Sequence, residues 1–243
     1  MQLTAAARTD VGMRRSANED AFALVPELGL FLVADGMGGH IGGQMASEIA
    51  TESTVEALRR VSAQRASFTE KLRYCLTEAN REIFETAQAK PEFAGMGTTL
   101  VALLAGSRRI ALVHVGDSRA YLIRRGRIRQ LTDDHSLVAE MVRRREISPV
   151  AAREHPHRHV LTRAVGVRRS VEGDLAELTP ECGDVVVLCS DGLTGHVDDR
   201  EIGALATRSR SLDEACLRLV ELANRRGGED NITMALVRVD ALG

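Results

Sequence analysis

The sequence predicts an α/β protein of the α+β kind, a four-layer α-β-β-α sandwich in which two antiparallel β-sheets are flanked by helix pairs. Three observations carry this expectation. Short apolar runs recur along the chain, and brief glycine-bearing turns such as Gly106-Ser107 and Arg125-Gly126 join several of them, which favours hairpins over long parallel crossovers. Long segments carry an apolar stripe on one side only. Such a stripe needs a sheet or another helix to cover it, so the helices belong on the outer faces of the sheets.

Taken in order, strands are expected at Leu3 to Arg8, Ala21 to Val25, Leu30 to Ala34, Thr98 to Ala105, Arg109 to Val115, Arg119 to Ile123, Val185 to Cys189 and Ile232 to Val239. The helices come in two pairs. Ser67-Phe68-Thr69-Glu70 is a capping box, after which Leu72, Leu76, Ala79 and Ile83 form one stripe. Ser211-Leu212-Asp213-Glu214 repeats the device before Ala215, Leu219 and Leu222. Residues 133–166 differ: they hold short helical pieces, a Ser148-Pro149 helix start and a His/Pro/Arg cluster, but no long apolar face. This segment reads as an excursion over a working surface.

With 243 residues and 44% hydrophobic content, the chain can build a substantial core, and no composition shift marks a boundary. Residues 1–243 are therefore expected to form a single domain. The longest purely apolar run, Leu100 to Ala105, falls far short of the ~20 residues that span a bilayer, and "MQLTAAARTD" lacks a signal-peptide core. A cytoplasmic monomer without membrane contact is the expectation. Cys75, Cys182, Cys189 and Cys216 are dispersed without a C-x-x-C pair, which gives zinc and thioredoxin-like chemistry no support.

The net charge of −2 argues against a general nucleic-acid binder. Charge is nonetheless uneven, since residues 108–169 carry fifteen Arg against six acidic residues. A solvated arginine-rich surface accounts for this most simply. A docking face for anionic partners is the other reading, with nucleic acid its weaker version because Tyr121 is the segment's one aromatic platform.

Acidic residues sit at the ends of five strand-like segments. Asp35 ends "LFLVAD" before Gly36, Asp191 ends "VVVLCSD" before Gly192, and Asp117 lies just beyond "ALVHVG". Asp230 precedes the last strand, and Glu19 and Asp20 precede the one at Ala21. Any one of them alone fits a common turn or a soluble strand entrance. Gathered at one edge, they would raise one another's pKa values unless cations neutralised them. Carboxylates and carbonyls without a Cys or paired-His set suit Mg²⁺ or Mn²⁺ rather than zinc. Two such ions ~3.5–4 Å apart can share a water, lower its pKa and stabilise in-line attack on phosphorus. Arg15, five residues before Asp20, could supply a bidentate fork for phosphate oxygens.

The ordered set Arg15-x-x-Asn18-Glu19-Asp20, Asp35-Gly36-Met37-Gly38-Gly39-His40, Gly97-Thr98-Thr99, Gly116-Asp117-Ser118-Arg119, Ser190-Asp191-Gly192 and Asp230-Asn231 resembles the metal-dependent (type 2C) serine/threonine protein phosphatases. It is most similar to their compact bacterial branch, as Gly95-Met96-Gly97-Thr98-Thr99 and His155-Pro156-His157-Arg158 also suggest. The resemblance spans nearly the whole chain. It implies a β-sandwich flanked by helix pairs, with residues 133–166 as a flap. It further implies that Asp35 bridges two Mg²⁺ or Mn²⁺ ions, that Gly36 offers its carbonyl, and that Asp191 and Asp230 complete the binuclear centre. Asp20, with Glu19 beside it, would hold metal-bound waters. Asp117 would join Asp191 at a third, weaker metal, and Arg15 would bind phosphate. Animal members place a histidine directly after the bridging Asp-Gly, whereas Met37 stands here and His40 follows three residues later. Protonation of the leaving group is thus open to His40, to His157 or His159, or to a metal-bound water.

The expected function is hydrolysis of phosphoserine and phosphothreonine in proteins by a metal-activated water, opposing bacterial serine/threonine kinases in signal transduction. The kinase and its phosphorylated substrates would be the partners. A dead pseudophosphatase that only binds phosphoproteins is the alternative of another class, and an adaptor using the arginine-rich segment on nucleic acid is a third.

Overall fold

The computed structural model describes residues 1–242; the side chain of His40, and Gly243, lie outside the described residues. The chain opens with strands β1 (Gln2–Asp10), β2 (Asp20–Val25) and β3 (Leu30–Met37), followed by helices α1 (His40–Val61) and α2 (Phe68–Ala89). Next come β4 (Gly97–Thr98), β5 (Leu100–Ala105), β6 (Ile110–Val115), β7 (Arg119–Arg124) and β8 (Arg127–Gln130). Short helices α3 (Leu137–Arg143) and α4 (Pro149–Arg153) precede β9 (Asp174–Leu178) and β10 (Val185–Cys189). The chain then forms α5 (Asp191–Thr194), α6 (Asp199–Arg208), α7 (Leu212–Arg225) and β11 (Ile232–Ala241).

One sheet has the order β1-β11-β10-β7-β8 and the other β2-β3-β5-β6-β9, with β4 paired to the end of β3. All these pairs are antiparallel. Helices α1 and α2 pack on the second sheet, and α6 and α7 on the first, giving the four expected layers. The α2 capping box forms as its sequence foretells, with Ser67 and Glu70 each bonding the other's backbone.

Side-chain alternation along the strands builds three core layers. On β3, Leu30, Leu32 and Ala34 face α1 and α2, while Phe31 and Val33 face the other sheet. The layer between the sheets also takes Val101 and Leu103 from β5, Ala120 and Leu122 from β7, Val186 and Leu188 from β10, and Ala235 and Val237 from β11. Two residues further along the same rows, this layer changes chemistry. The positions become Asp35, Thr99, Ser118, Ser190 and Thr233, all at one end of the sandwich. Thus the alternation that buries the core also collects polar groups at one mouth of the gap.

Three details depart from the sequence expectation. The run from Thr98 to Ala105 is not one strand: Gly97 and Thr98 pair with Met37 and Gly36, and β5 starts only at Leu100. Strand β3 correspondingly runs on through Met37 rather than turning at Asp35. Strands β8 and β9, "RIRQ" and "DLAEL", escape the sequence reading because both are short, polar edge strands without an apolar run.

Much of the arginine excess in residues 108–169 is neutralised internally. Seven of the fifteen, Arg109, Arg119, Arg124, Arg125, Arg144, Arg158 and Arg163, form ion pairs with acidic residues, which leaves a less basic face than the composition suggests. Cys75, Cys189 and Cys216 are buried free thiols, and Cys182 is exposed. Among the described residues, no helix is long and apolar enough to cross a membrane.

Candidate metal centre

At the polar end of the sandwich lies a cleft of about 280 Å³, lined by Arg15, Glu19, Asp35, Gly36, Met37, Thr99, Asp117, His159, Leu161, Asp191, Asp230 and Asn231. A second cavity of about 220 Å³ opens beside Leu58, Phe68, Lys71 and Leu104, but it holds no set of carboxylates.

Asp35 is fixed through its backbone, which leaves its carboxylate for other work. Its N–H donates to Thr99 Oγ1 at 2.9 Å. Its carbonyl accepts from Thr99 N–H and from Thr98 Oγ1, each at 2.8 Å. This is the physical content of the Gly97-Thr98-Thr99 motif. Gly36 is required for close approach rather than for a turn: a Cβ there would collide with the carbonyl oxygens of Gly43 and Glu19, and its N–H donates to Glu19 O at 3.1 Å.

Asp20 stands opposite Asp35 in the β2–β3 register. Its Oδ2 accepts from Ser190 Oγ at 2.8 Å, while its Oδ1 is buried without a hydrogen-bond partner among the described residues. Like charges directly opposite in a sheet are destabilising, so this arrangement asks for a cation. Glu19 is buried beside it, and the Glu19 carboxylate lies so near Gly43 that any side chain there would collide with it.

Asp117 follows β6 through Gly116, whose φ of 105° is one that L side chains rarely adopt. Ser118 Oγ and Thr99 Oγ1, 2.6 Å apart, tie this loop to the Asp35 support. Asp191 begins α5 directly after Ser190, and Gly192 lets that turn approach the Asn231 carbonyl. Asp230 Oδ2 accepts from Arg15 at 2.8 Å.

Electrostatics follow from this crowding. Burial, then the charges of Asp20, Asp191, Asp117 and Asp230, holds Asp35 well above the usual carboxylate range. Burial pushes Asp20 up to about 7, against hydrogen bonds from Thr233 and Ser190 and with help from Asp191 and Asp230. Burial and then Asp191 likewise raise Asp117. Burial opposes the charge on Arg15, but the ion pair with Asp230 outweighs it and raises the Arg15 pKa.

The donor set is all oxygen, with one orphaned carboxylate oxygen, and so fits hard divalent cations. No three of the described His, Cys, Asp or Glu side chains close on a single point, so water and backbone oxygens would have to complete each coordination shell.

Of the residues singled out in the sequence, the cleft brings together Arg15, Glu19, Asp35, Gly36, Asp117, Asp191 and Asp230; Asp20 sits behind them against Ser190. Arg15 is occupied by Asp230 rather than standing free. The expectation for the His40 side chain falls outside the described residues. Of the two flap histidines, His159 lines the cleft, with Nδ1 3.6 Å from Asp191 Oδ2, a contact that raises its pKa. His157 is exposed and is not among the lining residues.

Sequence reasoning assigned no task to Asn231, which is 4% exposed. Its Oδ1 accepts from Glu19 N–H at 2.8 Å, and its Nδ2 donates to Val11 O and Ala17 O at 2.9 Å each. It thereby fastens the loop carrying Arg15 to the residue beside Asp230. The signal was its place next to Asp230 in the row that later becomes core.

Comparison with known proteins agrees with this geometry. The model of the family described as protein phosphatase 2C matches residues 13–232. A "Serine/threonine phosphatase stp" from Listeria monocytogenes is 40% identical over 238 residues, 96% of this chain and 94% of the relative. The crystal structure of the catalytic domain of the serine/threonine phosphatase PstP in complex with two manganese ions superposes with a TM-score of 0.87 at 35% identity, covering 98% of this chain and 99% of that one. The serine/threonine phosphatase Stp1 from Staphylococcus aureus gives a TM-score of 0.90 at 33% identity, covering 99% and 96%.

Proposed function

The chain belongs to the protein phosphatase 2C family, and from that premise we propose that the cleft around Asp35 is its catalytic centre. The protein is a metal-dependent serine/threonine phosphatase that uses Mn²⁺ or Mg²⁺. We assign Asp35, the Gly36 carbonyl, Asp191 and Asp230 to two tight metal sites, Glu19 and Asp20 to the waters around them, and Asp117 with Asp191 to a third, weaker site. The observation that carries the assignment is the pairing of Asp20 with Asp35, two carboxylates opposite one another with one buried oxygen unbonded.

Bound ions would lower the pKa of a water and screen the phosphoryl oxygens. The chain's own groups do the rest. Thr98 and Thr99 hold Asp35 still, so little conformational freedom is lost when it takes up its ligands. Arg15 turns from Asp230 toward the phosphate, where its planar fork can grip two oxygens at once. His159 and His40 are the candidates for protonating the leaving oxygen. Residues 133–166 act as a flap on a single catalytic domain, held at its ends by the bridges Ser136 to Leu161 and Thr98 to Val165.

The substrates are phosphoproteins, and the opposing enzyme is a bacterial serine/threonine kinase in the cytoplasm. The bacterial relatives support this reading. The test is hydrolysis of a phosphothreonine peptide by purified protein in chelator and after return of Mn²⁺. Turnover that appears only with the metal is expected; full activity in excess chelator would refute the mechanism.

A further inference from the structure

The lining of the catalytic cleft is not uniformly polar. Beside the carboxylates, its lining also includes the apolar Met37 and Leu161. Beside Met37 stands Val167, which is 44% exposed. Both side chains converge over Gly97: a Cβ there would lie 2.6 Å from Val167 Cγ2 and 3.0 Å from Met37 Cε. Any larger residue at position 97 would push them apart, so the glycine is what allows the two to form one continuous wall.

Val167 is not on a loose loop. Asn80 of α2 is 2% exposed and spends its whole amide on this segment. Its Oδ1 accepts from Gly166 N–H at 2.8 Å, and its Nδ2 donates to the carbonyls of Arg168 and Arg169 at 3.0 and 3.1 Å. On the other side, Val165 is bridged to Thr98, next to the Asp35 support. A buried amide and a strand bridge therefore fix an exposed apolar side chain at the edge of a charged cleft.

We propose that the Met37–Val167 wall is a subsite for an apolar side chain flanking the phosphorylated residue of the substrate, an inference that rests on the phosphatase reading above. A phosphoresidue in the cleft places its chain neighbours about 3.3–3.6 Å per residue away along an extended backbone. That brings one of them against a wall continuous with the cleft lining. Two side chains are far too small a patch for a stable protein–protein interface, which needs roughly 1,200 Å² or more. They suffice to cover one aliphatic side chain of an extended phosphopeptide.

The experiment uses two phosphothreonine peptides that are identical except for leucine or serine on both sides of the phosphothreonine, with p-nitrophenyl phosphate as a substrate lacking any flank. The wild-type enzyme in Mn²⁺ should favour the leucine peptide by about fivefold or more in kcat/KM. Val167→Asp should bring that ratio to unity or below, and Val167→Leu should keep it. A fold defect would slow both peptides together, so the ratio isolates the subsite. Equal kcat/KM on the two peptides, or a preference that survives Val167→Asp, would overturn the subsite while turnover of the nitrophenyl ester left the phosphatase reading standing. No Mn²⁺-dependent turnover of any of the three would bring down both.

Discussion

Asp20 on β2 and Asp35 on β3 are cross-strand partners at the mouth of the gap between the sheets, and Asp20 Oδ1 is buried without a hydrogen-bond partner among the described residues. The fold thus holds a repulsion that a bound cation or a proton relieves. In chelator, Asp35→Asn should melt at or slightly above the wild type, because one like-charge pair worth up to about 1 kcal/mol disappears, a shift of roughly 2–4 °C for a domain of this size. In Mn²⁺ the order should reverse. The wild type gains about 2.7 kcal/mol at a hundredfold excess over Kd, and the variant gains much less and loses turnover. Thermal melts with and without Mn²⁺ decide this; equal metal-induced shifts in the two proteins would remove Asp35 from the centre.

Arg15 pairs with Asp230, but both are partly exposed, at 43% and 27% for their side chains, so the pair itself adds little stability. Arg15→Ala should leave the melting temperature nearly unchanged and weaken substrate by about 1.5–3 kcal/mol, roughly ten- to a hundredfold in kcat/KM. Arg15→Lys should rescue only partly, since it keeps the charge without the fork. Wild-type KM in the lysine variant would count against a bidentate grip.

Asn231 is a different kind of residue: it lines the cleft, but its side-chain hydrogen bonds all go to backbone groups of the loop that carries Arg15 and of Glu19. Asn231→Asp preserves shape but turns the atom that donates to Val11 O and Ala17 O into an acceptor facing two carbonyls. It also buries a charge. Denaturant unfolding in chelator should show a loss of about 2–4 kcal/mol, together with weaker Mn²⁺ binding by calorimetry as the loop carrying Arg15 loosens. Unchanged stability would mean that this loop is held by other contacts.

His114 lies buried at the end of β6, its ring 4.6 Å from that of His135, and neither of its nitrogens makes a well-formed hydrogen bond among the described residues. Burial, then repulsion from His135, pushes its pKa down to about 4. The folded state therefore binds fewer protons than the unfolded chain, whose histidine titrates near 6.5. Stability should be flat above pH 6.5 from this source and fall as pH drops from 6.5 to about 4, by up to about 3 kcal/mol. His114→Leu should remove this contribution, while His135, whose pKa is also lowered by burial, adds one of the same sign and the raised carboxyl groups Asp20, Asp35 and Asp117 add one of the opposite sign. An unaltered acid profile in denaturant titrations would show that the loss arises elsewhere.

By itself, the sequence determined the layer architecture, because period-two apolar strands, the Ser67–Glu70 capping box, the Ser211 cap, whose Glu214 partner bonds Arg210 N–H instead, and short hairpin turns are local signals that survive without knowledge of partners. It also singled out, through an ordered set of motifs, carboxylates that the fold brings to one cleft, Asp35, Asp117, Asp191 and Asp230 among them. What only the tertiary structure decided depends on groups far apart in the chain. Gly36 is a glycine because Gly43 and Glu19 close in on it, not because the chain turns there. Arg15 meets Asp230 across 215 positions, and Asn231 reaches back to Ala17 and Val11. Strands β8 and β9 are polar edges whose pairing is set by neighbours rather than by their own pattern. Val167 stands beside Met37 because Asn80, 87 residues earlier on another element, holds the backbone on either side of it. Local propensity is written residue by residue, whereas steric approach and long-range hydrogen bonding exist only once the two sheets have closed on each other.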